Sequence, residues 1–101
     1  MVEDPAGERI LLVENARRPG YLSLVAGYVD VGETLEAAFA REVMEETGRR
    51  ATDIAYLRSQ PWPASGALML GMTARTADID PIAAGDGELA RTVWALSLIH
   101  I

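Results

Sequence analysis

Apolar positions along the chain fall in short, separated runs, and their spacing distinguishes strands from helix. Residues 9–14 (Arg-Ile-Leu-Leu-Val-Glu) form an apolar run of strand length, followed by a turn over residues 16–20 (Ala-Arg-Arg-Pro-Gly). Residues 21–26 alternate loosely and predict a second strand, closed by Gly27 and followed by a loop over 30–32. Residues 34–47 carry helical spacing, with Gly48 as the stop signal. Residues 53–59 read as a strand broken by Gln60-Pro61-Trp62-Pro63. Residues 67–73 and 89–95 are further strands, separated by a Gly- and Asp-containing loop over 77–88. Several strands, one central helix and mostly short loops imply a mixed α/β (α+β) domain. The chain contains no internal repeat, linker or low-complexity tract.

A length of 101 residues bounds the chain to one small domain. Its net charge is −6, and all 9 basic residues are arginine. An acidic domain is a poor fit to a nucleic-acid backbone, and it suits a polyphosphate only if cations come with it. The apolar runs are too short to span a membrane, and the first residues do not form a signal peptide, so a cytoplasmic protein is expected. The absence of cysteine excludes disulfides and cysteine-held zinc. Residues 96–101 (Leu-Ser-Leu-Ile-His-Ile) match the in-frame translation of a transposase sequencing adaptor. The expectation is therefore a domain over residues 1–95, truncated at its C-terminus, with a foreign tail over 96–101. The one histidine, His100, lies in that tail, which argues against histidine chemistry.

On a helix at about 100° per residue, Leu35, Ala38, Phe39 and Val43 form a core-facing stripe. Glu42, Glu45 and Glu46 fall on the same side, toward the C-terminal end. Like charges three and four residues apart repel, and the helix dipole adds to the cost there. A buried, unpaired carboxylate is costly as well. A divalent cation resolves this arrangement, and oxygen-only donors suit Mg²⁺ or Mn²⁺. The plainer alternative is a solvated acidic patch with Arg41 as its surface partner. On the other side of the helix, Ala37, Ala40 and Met44 form an apolar strip open to packing or to a homodimer contact.

The surrounding order decides between them. Gly27 is followed by five residues, Glu33, seven residues, Arg41-Glu42-Val43-Met44-Glu45-Glu46, one residue and Gly48. This resembles the Nudix box of metal-dependent hydrolases that cleave a nucleoside diphosphate linked to some other group. Arg49 departs from it, standing where an aliphatic residue is usual. The resemblance implies a Nudix fold, a mixed β-sheet packed between helices, with the C-terminal helix expected after Trp94 missing. It further implies Glu42 and Glu46 as the main metal ligands, Glu45 close by, and the carbonyl of Ala26 as a backbone ligand. One of these glutamates, or a metal-bound hydroxide, delivers the nucleophile. Glu33 and Arg41 are expected to pair and brace the loop, while Gly27 and Gly32 let it turn.

A second motif narrows the substrate. Ser59-Gln60-Pro61-Trp62-Pro63, followed by Leu68-Met69, is similar to the run Ser-Gln-Pro-Trp-Pro-Phe-Pro-x-Ser-Leu-Met of NADH pyrophosphatases. That resemblance puts Gln60, Pro61, Trp62, Pro63, Ala64, Ser65, Gly66 and Ala67 beside the substrate and makes Glu88 a further metal ligand. Ala64, Ser65 and Ala67 depart from the run, and the lost aromatic at 64 removes a stacking contact worth roughly 1 kcal/mol. Read without the family, Trp62 is a core aromatic and its prolines end a strand. The expected reaction is hydrolysis of NADH or NAD⁺ to AMP and nicotinamide mononucleotide, and the resemblance also permits NAD-capped RNA. Alternatives are a hydrolase of ADP-ribose or a related nucleoside diphosphate, and a non-catalytic nucleotide-binding module. The family's N-terminal domain and four-cysteine zinc ribbon would precede residue 1.

Overall fold

The computed structural model describes residues 1–15, 17–84 and 89–96. Its elements are β1 (Val2–Glu3), β2 (Arg9–Asn15), β3 (Leu22–Leu24), α1 (Leu35–Thr47), β4 (Thr52–Trp62), β5 (Ala67–Arg75) and β6 (Leu89–Leu96). The strands form one mixed sheet in the order β3-β2-β1-β5-β4, with β6 also paired to β2. β6 runs antiparallel along all of β2, from Arg9↔Leu96 to Asn15↔Leu89. β1 and β3 therefore share the opposite edge of β2, at Glu3↔Ile10 and at Leu12↔Leu24. Among the described residues the one parallel pairing is β1 with β5, Val2↔Ala74.

Directly paired residues point to the same face of a sheet. Val2, Leu11 and Val13 thus share a face with Trp94, and α1 lies on it. Val43 of α1 joins Val2, Leu11, Val13 and Val25 in the buried core, with Phe39, Ala51 and Trp94 packed alongside. The opposite face carries Ile10, Leu12, Leu22, Leu24, Val93 and Ala95. Leu22 and Leu24 stay largely exposed, and among the described residues no second helix covers them.

Helix α1 starts where its sequence says. The hydroxyl of Thr34 accepts from the amide of Ala37 at 3.1 Å, capping the free N–H groups of the first turn. Gly48 closes it in the left-handed region at φ 68°, its amide donating to the carbonyl of Met44. Three strand readings change. Val2–Glu3 is too short to show periodicity, and the second strand shortens to Leu22–Leu24. The run Gln60-Pro61-Trp62 does not break β4; it extends it, with Pro61 opposite Leu68 and Trp62 opposite Ala67. β4 is the edge strand, where a proline lacking an N–H leaves no inner neighbour unpaired. The turn comes after it, where Ser65 and Gly66 donate to the carbonyl of Trp62.

Candidate functional site

The last two turns of α1 meet the loop that leaves β3. Val25 is buried in the core, which fixes Ala26 and Gly27 directly over the helix. The Glu46 carboxylate accepts from the amide of Ala26 at 3.3 Å. The Glu42 carboxyl lies against the α-carbon of Gly27, in the space a Cβ would fill. Gly27 has no positive φ, unlike Gly32 at φ 86°, so it is glycine for close approach and not for a turn. Two carboxylates one helical turn apart are thus brought to the same dipeptide.

Arg41 organises the rest. Its Nε and Nη2 donate to the two oxygens of Glu33, each at 2.8 Å, and Nη2 also donates to the carbonyl of Tyr28 at 2.8 Å. Glu33 in turn accepts from the amide of Asp30 at 2.9 Å. The loop over 28–33 is therefore tied to the helix by one guanidinium. The hydrogen bonds from Arg41, then that from Asp30, hold the Glu33 carboxyl down at about 2, and the same pairing raises Arg41. Nη1 of Arg41 donates to Glu42 at 2.7 Å and to Glu45 at 3.1 Å.

The three glutamates are not equivalent, which corrects the expectation that all lie on a buried face. Glu42 and Glu46 are partly buried, whereas Glu45 is exposed. Its side chain is 51% accessible. Among the described residues, no three acidic or histidine side chains are gathered around one point. Glu42 and Glu46 still supply a pair of hard oxygen donors beside the backbone of Ala26, and this donor set fits a small divalent cation. Glu45 joins it only by leaving Arg41. Glu88 lies outside the described residues, as does His100.

The run from Gln60 to Ala67 forms the far end of the β4–β5 hairpin: Gln60, Pro61 and Trp62 end β4, residues 63–66 make the turn, and Ala67 begins β5. Trp62 is 50% exposed, which sets aside the core-aromatic reading. Ala37 is exposed, while Ala40 and Met44 are partly buried, so the expected apolar strip is only half open.

Sequence reasoning missed Arg49. It is 3% exposed, and its guanidinium donates to carbonyls of Thr47, Asp78 and Ile79 and to the hydroxyl of Thr92. Hydrogen bonding therefore does what an aliphatic side chain does by packing. The available signal was the acidic run Asp78–Asp80, a charge partner for Arg49 and Arg50. Arg50 Nη2 pairs with the buried Asp78 at 2.7 Å.

The NUDIX domain sequence profile matches residues 1–95. The chain is 46% identical over 88 residues to the NAD-capped RNA hydrolase NudC of Klebsiella pneumoniae strain 342, covering 86% of this chain and 34% of that protein. It is 38% identical over 94 residues to the NAD-capped RNA hydrolase NudC of Mycobacterium bovis, covering 93% of this chain and 30% of that protein. The chain thus spans about a third of the length of these curated relatives. Among solved structures it is similar to a NUDIX hydrolase from Nitrosomonas europaea, with a TM-score of 0.68 and 25% identity over 98% of this chain and 70% of that one.

Proposed function

The chain belongs to the NUDIX domain family, and from that premise we propose that it is the catalytic part of a divalent-metal-dependent pyrophosphohydrolase acting on a nicotinamide dinucleotide. The substrate is NADH or NAD⁺, free or as the cap of an RNA. Water adds across the P–O–P bridge, giving AMP, or AMP-ended RNA, and nicotinamide mononucleotide. The observation that carries the reading is the convergence of Glu42 and Glu46 on Ala26–Gly27, with a glycine exactly sized by need: any side chain at 27 would expel Glu42.

Glu42 and Glu46, with the carbonyl of Ala26, are the groups that would hold Mg²⁺ or Mn²⁺, and Glu45 and Glu88 are the further candidates. When bound, the cation draws charge from the diphosphate and acidifies the attacking water. The chain's own residues do the rest. Arg41 and Glu33 lock the loop over 28–33 so that the Ala26–Gly27 backbone is preorganised. Glu45, held at the rim by Arg41, is a carboxylate able to take the water's proton once released. Trp62, rigidly placed between Pro61 and Pro63, offers a flat surface for a base or nicotinamide ring. Ala64, where the dinucleotide hydrolases carry an aromatic, favours ADP-ribose as the second reading. Among the described residues no helix is long and apolar enough to cross a membrane.

Steady-state release of AMP from NADH, NAD⁺ and ADP-ribose, each with Mg²⁺ and with Mn²⁺, tests the proposal. Higher kcat/KM for a nicotinamide dinucleotide supports it. ADP-ribose as the best substrate removes the dinucleotide assignment and keeps the hydrolase. No turnover on any of them favours a binding module.

A further inference from the structure

Arg49 is a buried cation to which the proposed reaction gives no task. Its Nε donates to the carbonyls of Asp78 at 2.9 Å and Ile79 at 3.3 Å, and Nη2 donates to Ile79 at 2.8 Å. Nη1 donates to the carbonyl of Thr47 at 3.1 Å and to the hydroxyl of Thr92 at 3.0 Å. One guanidinium thus joins the end of α1, the segment after β5, and β6. The Trp94 ring lies 5.8 Å away, and its indole N–H donates to the same Ile79 carbonyl at 3.0 Å.

The neighbours reinforce this joint. Arg50 donates to the Asp78 carboxylate through its amide, Nε and Nη2 at 2.9, 3.0 and 2.7 Å. The amide of Ile82 donates to the carbonyl of Gly48 at 2.8 Å. The α-carbon of Gly48 sits so close to the carbonyl of Ala83 that a Cβ would overlap it. Residues 78–83 therefore form a strap across the exit of α1, immediately after the turn that carries Glu45 and Glu46. Burial pulls the Arg49 guanidinium below its ordinary pKa, against the opposing pull of Asp80 and Asp78. A leucine fills such a site without that cost, but it cannot hold four acceptors from three elements. A lysine carries the charge as a single point and cannot bridge them.

We propose that Arg49 is a positioning residue: by fastening the strap over 78–83 to the carbonyl of Thr47, it holds the last turn of α1 so that Glu46 stays in register with Ala26. The inference rests on the hydrolase reading for its functional consequence, but the placement of Glu46 is measurable without it.

The test compares the 101-residue wild type with Arg49→Lys and Arg49→Met, at a temperature well below every melting midpoint. Mn²⁺ affinity is measured by isothermal titration, and AMP release from NADH gives kcat and KM. In both variants Mn²⁺ binding is expected to weaken several-fold and kcat to fall about tenfold, with KM little changed, and Lys should be the milder. A prop that only stabilises the fold gives the opposite pattern: lower midpoints, with Mn²⁺ affinity and kcat as in the wild type. That pattern overturns the proposal. If neither Arg49 variant folds, Asp78→Asn loosens the strap from the Arg50 side, and unchanged Mn²⁺ binding in it overturns the proposal equally. If the wild type itself neither binds Mn²⁺ nor releases AMP, the hydrolase reading fails instead. Hydrogen exchange at the amide of Ala26 then decides on the positioning: faster exchange in Arg49→Lys or Asp78→Asn upholds it, and an unchanged rate overturns it.

Discussion

Gly27→Ala is the sharpest perturbation of the site, because it adds one methyl group where the backbone lies directly against the carboxyl of a candidate ligand. A Cβ on Gly27 would overlap the carboxyl carbon and one oxygen of Glu42, far inside the 3.0 Å that real Cβ contacts respect. Gly27 has no positive φ, so its backbone accepts alanine and the side chain of Glu42 must give way. The carboxyl has to retreat by about 1 Å or more, and a misplacement of that size at a reacting centre costs on the order of 10²-fold in rate. Leaving its place also strains the 2.7 Å charge-assisted bond to Arg41. The fold should therefore survive with a modest drop in melting midpoint while turnover collapses. Gly32→Ala is the matched control: at φ 86° it strains the backbone, at a cost of about 1 kcal/mol, but nothing lies within 4 Å of the new Cβ. Thermal melts and AMP-release kinetics on both variants separate the effects. Near-wild-type turnover in Gly27→Ala, or an equal loss in both variants, would refute the reasoning.

Other outcomes follow from the same geometry. Glu46→Gln should abolish Mn²⁺ binding by isothermal titration and raise the metal-free melting midpoint, since it relieves repulsion with Glu42; undiminished binding removes Glu46 from the site. Glu33, held at about 2 against an ordinary 4.5, contributes stability that is complete above pH 4.5 and is lost as pH falls toward 2. Asp78, held at about 2 against 3.8 by the side chain and amide of Arg50, adds to the same acid limb. The midpoint of Glu33→Gln should accordingly fall less steeply over that window, and an unaltered slope contradicts the assignment. Trp62→Ala should damage NADH hydrolysis more than ADP-ribose hydrolysis, and Ala64→Phe should lower KM for NADH several-fold, by roughly 1 kcal/mol; equal losses on all substrates in Trp62→Ala count against the ring-stacking role. Removing residues 96–101 should leave midpoint and activity unchanged, and a drop of several degrees would make that segment part of the domain.

The helix and the order of glutamates along it were legible in the chain itself. Thr34 as cap, Gly48 as stop and the glutamates between them are local features, and a helix fixes its own side-chain directions at about 100° per residue. The glycines, Glu33 and the Arg-Glu-x-x-Glu-Glu order were enough to identify the family and, through it, the mixed sheet. What the chain alone left undecided depends on contacts between distant segments. Whether Gln60-Pro61-Trp62 breaks or extends a strand depends on its being at the sheet edge, where no inner neighbour needs the missing N–H. Gly27 looks like any turn glycine until Glu42 is seen against it. Glu45 falls at the margin of the stripe on the helical wheel, and only the packing decides its burial: it is exposed, whereas Val43 and Thr47 on the same helix are buried. Arg49 reads as a fault in the pattern until the carbonyls of Asp78 and Ile79, about thirty positions later, are found around its guanidinium. Only the folded chain brings those acceptors to the end of α1, because hydrogen-bond partners this far apart in sequence leave no periodic trace along it.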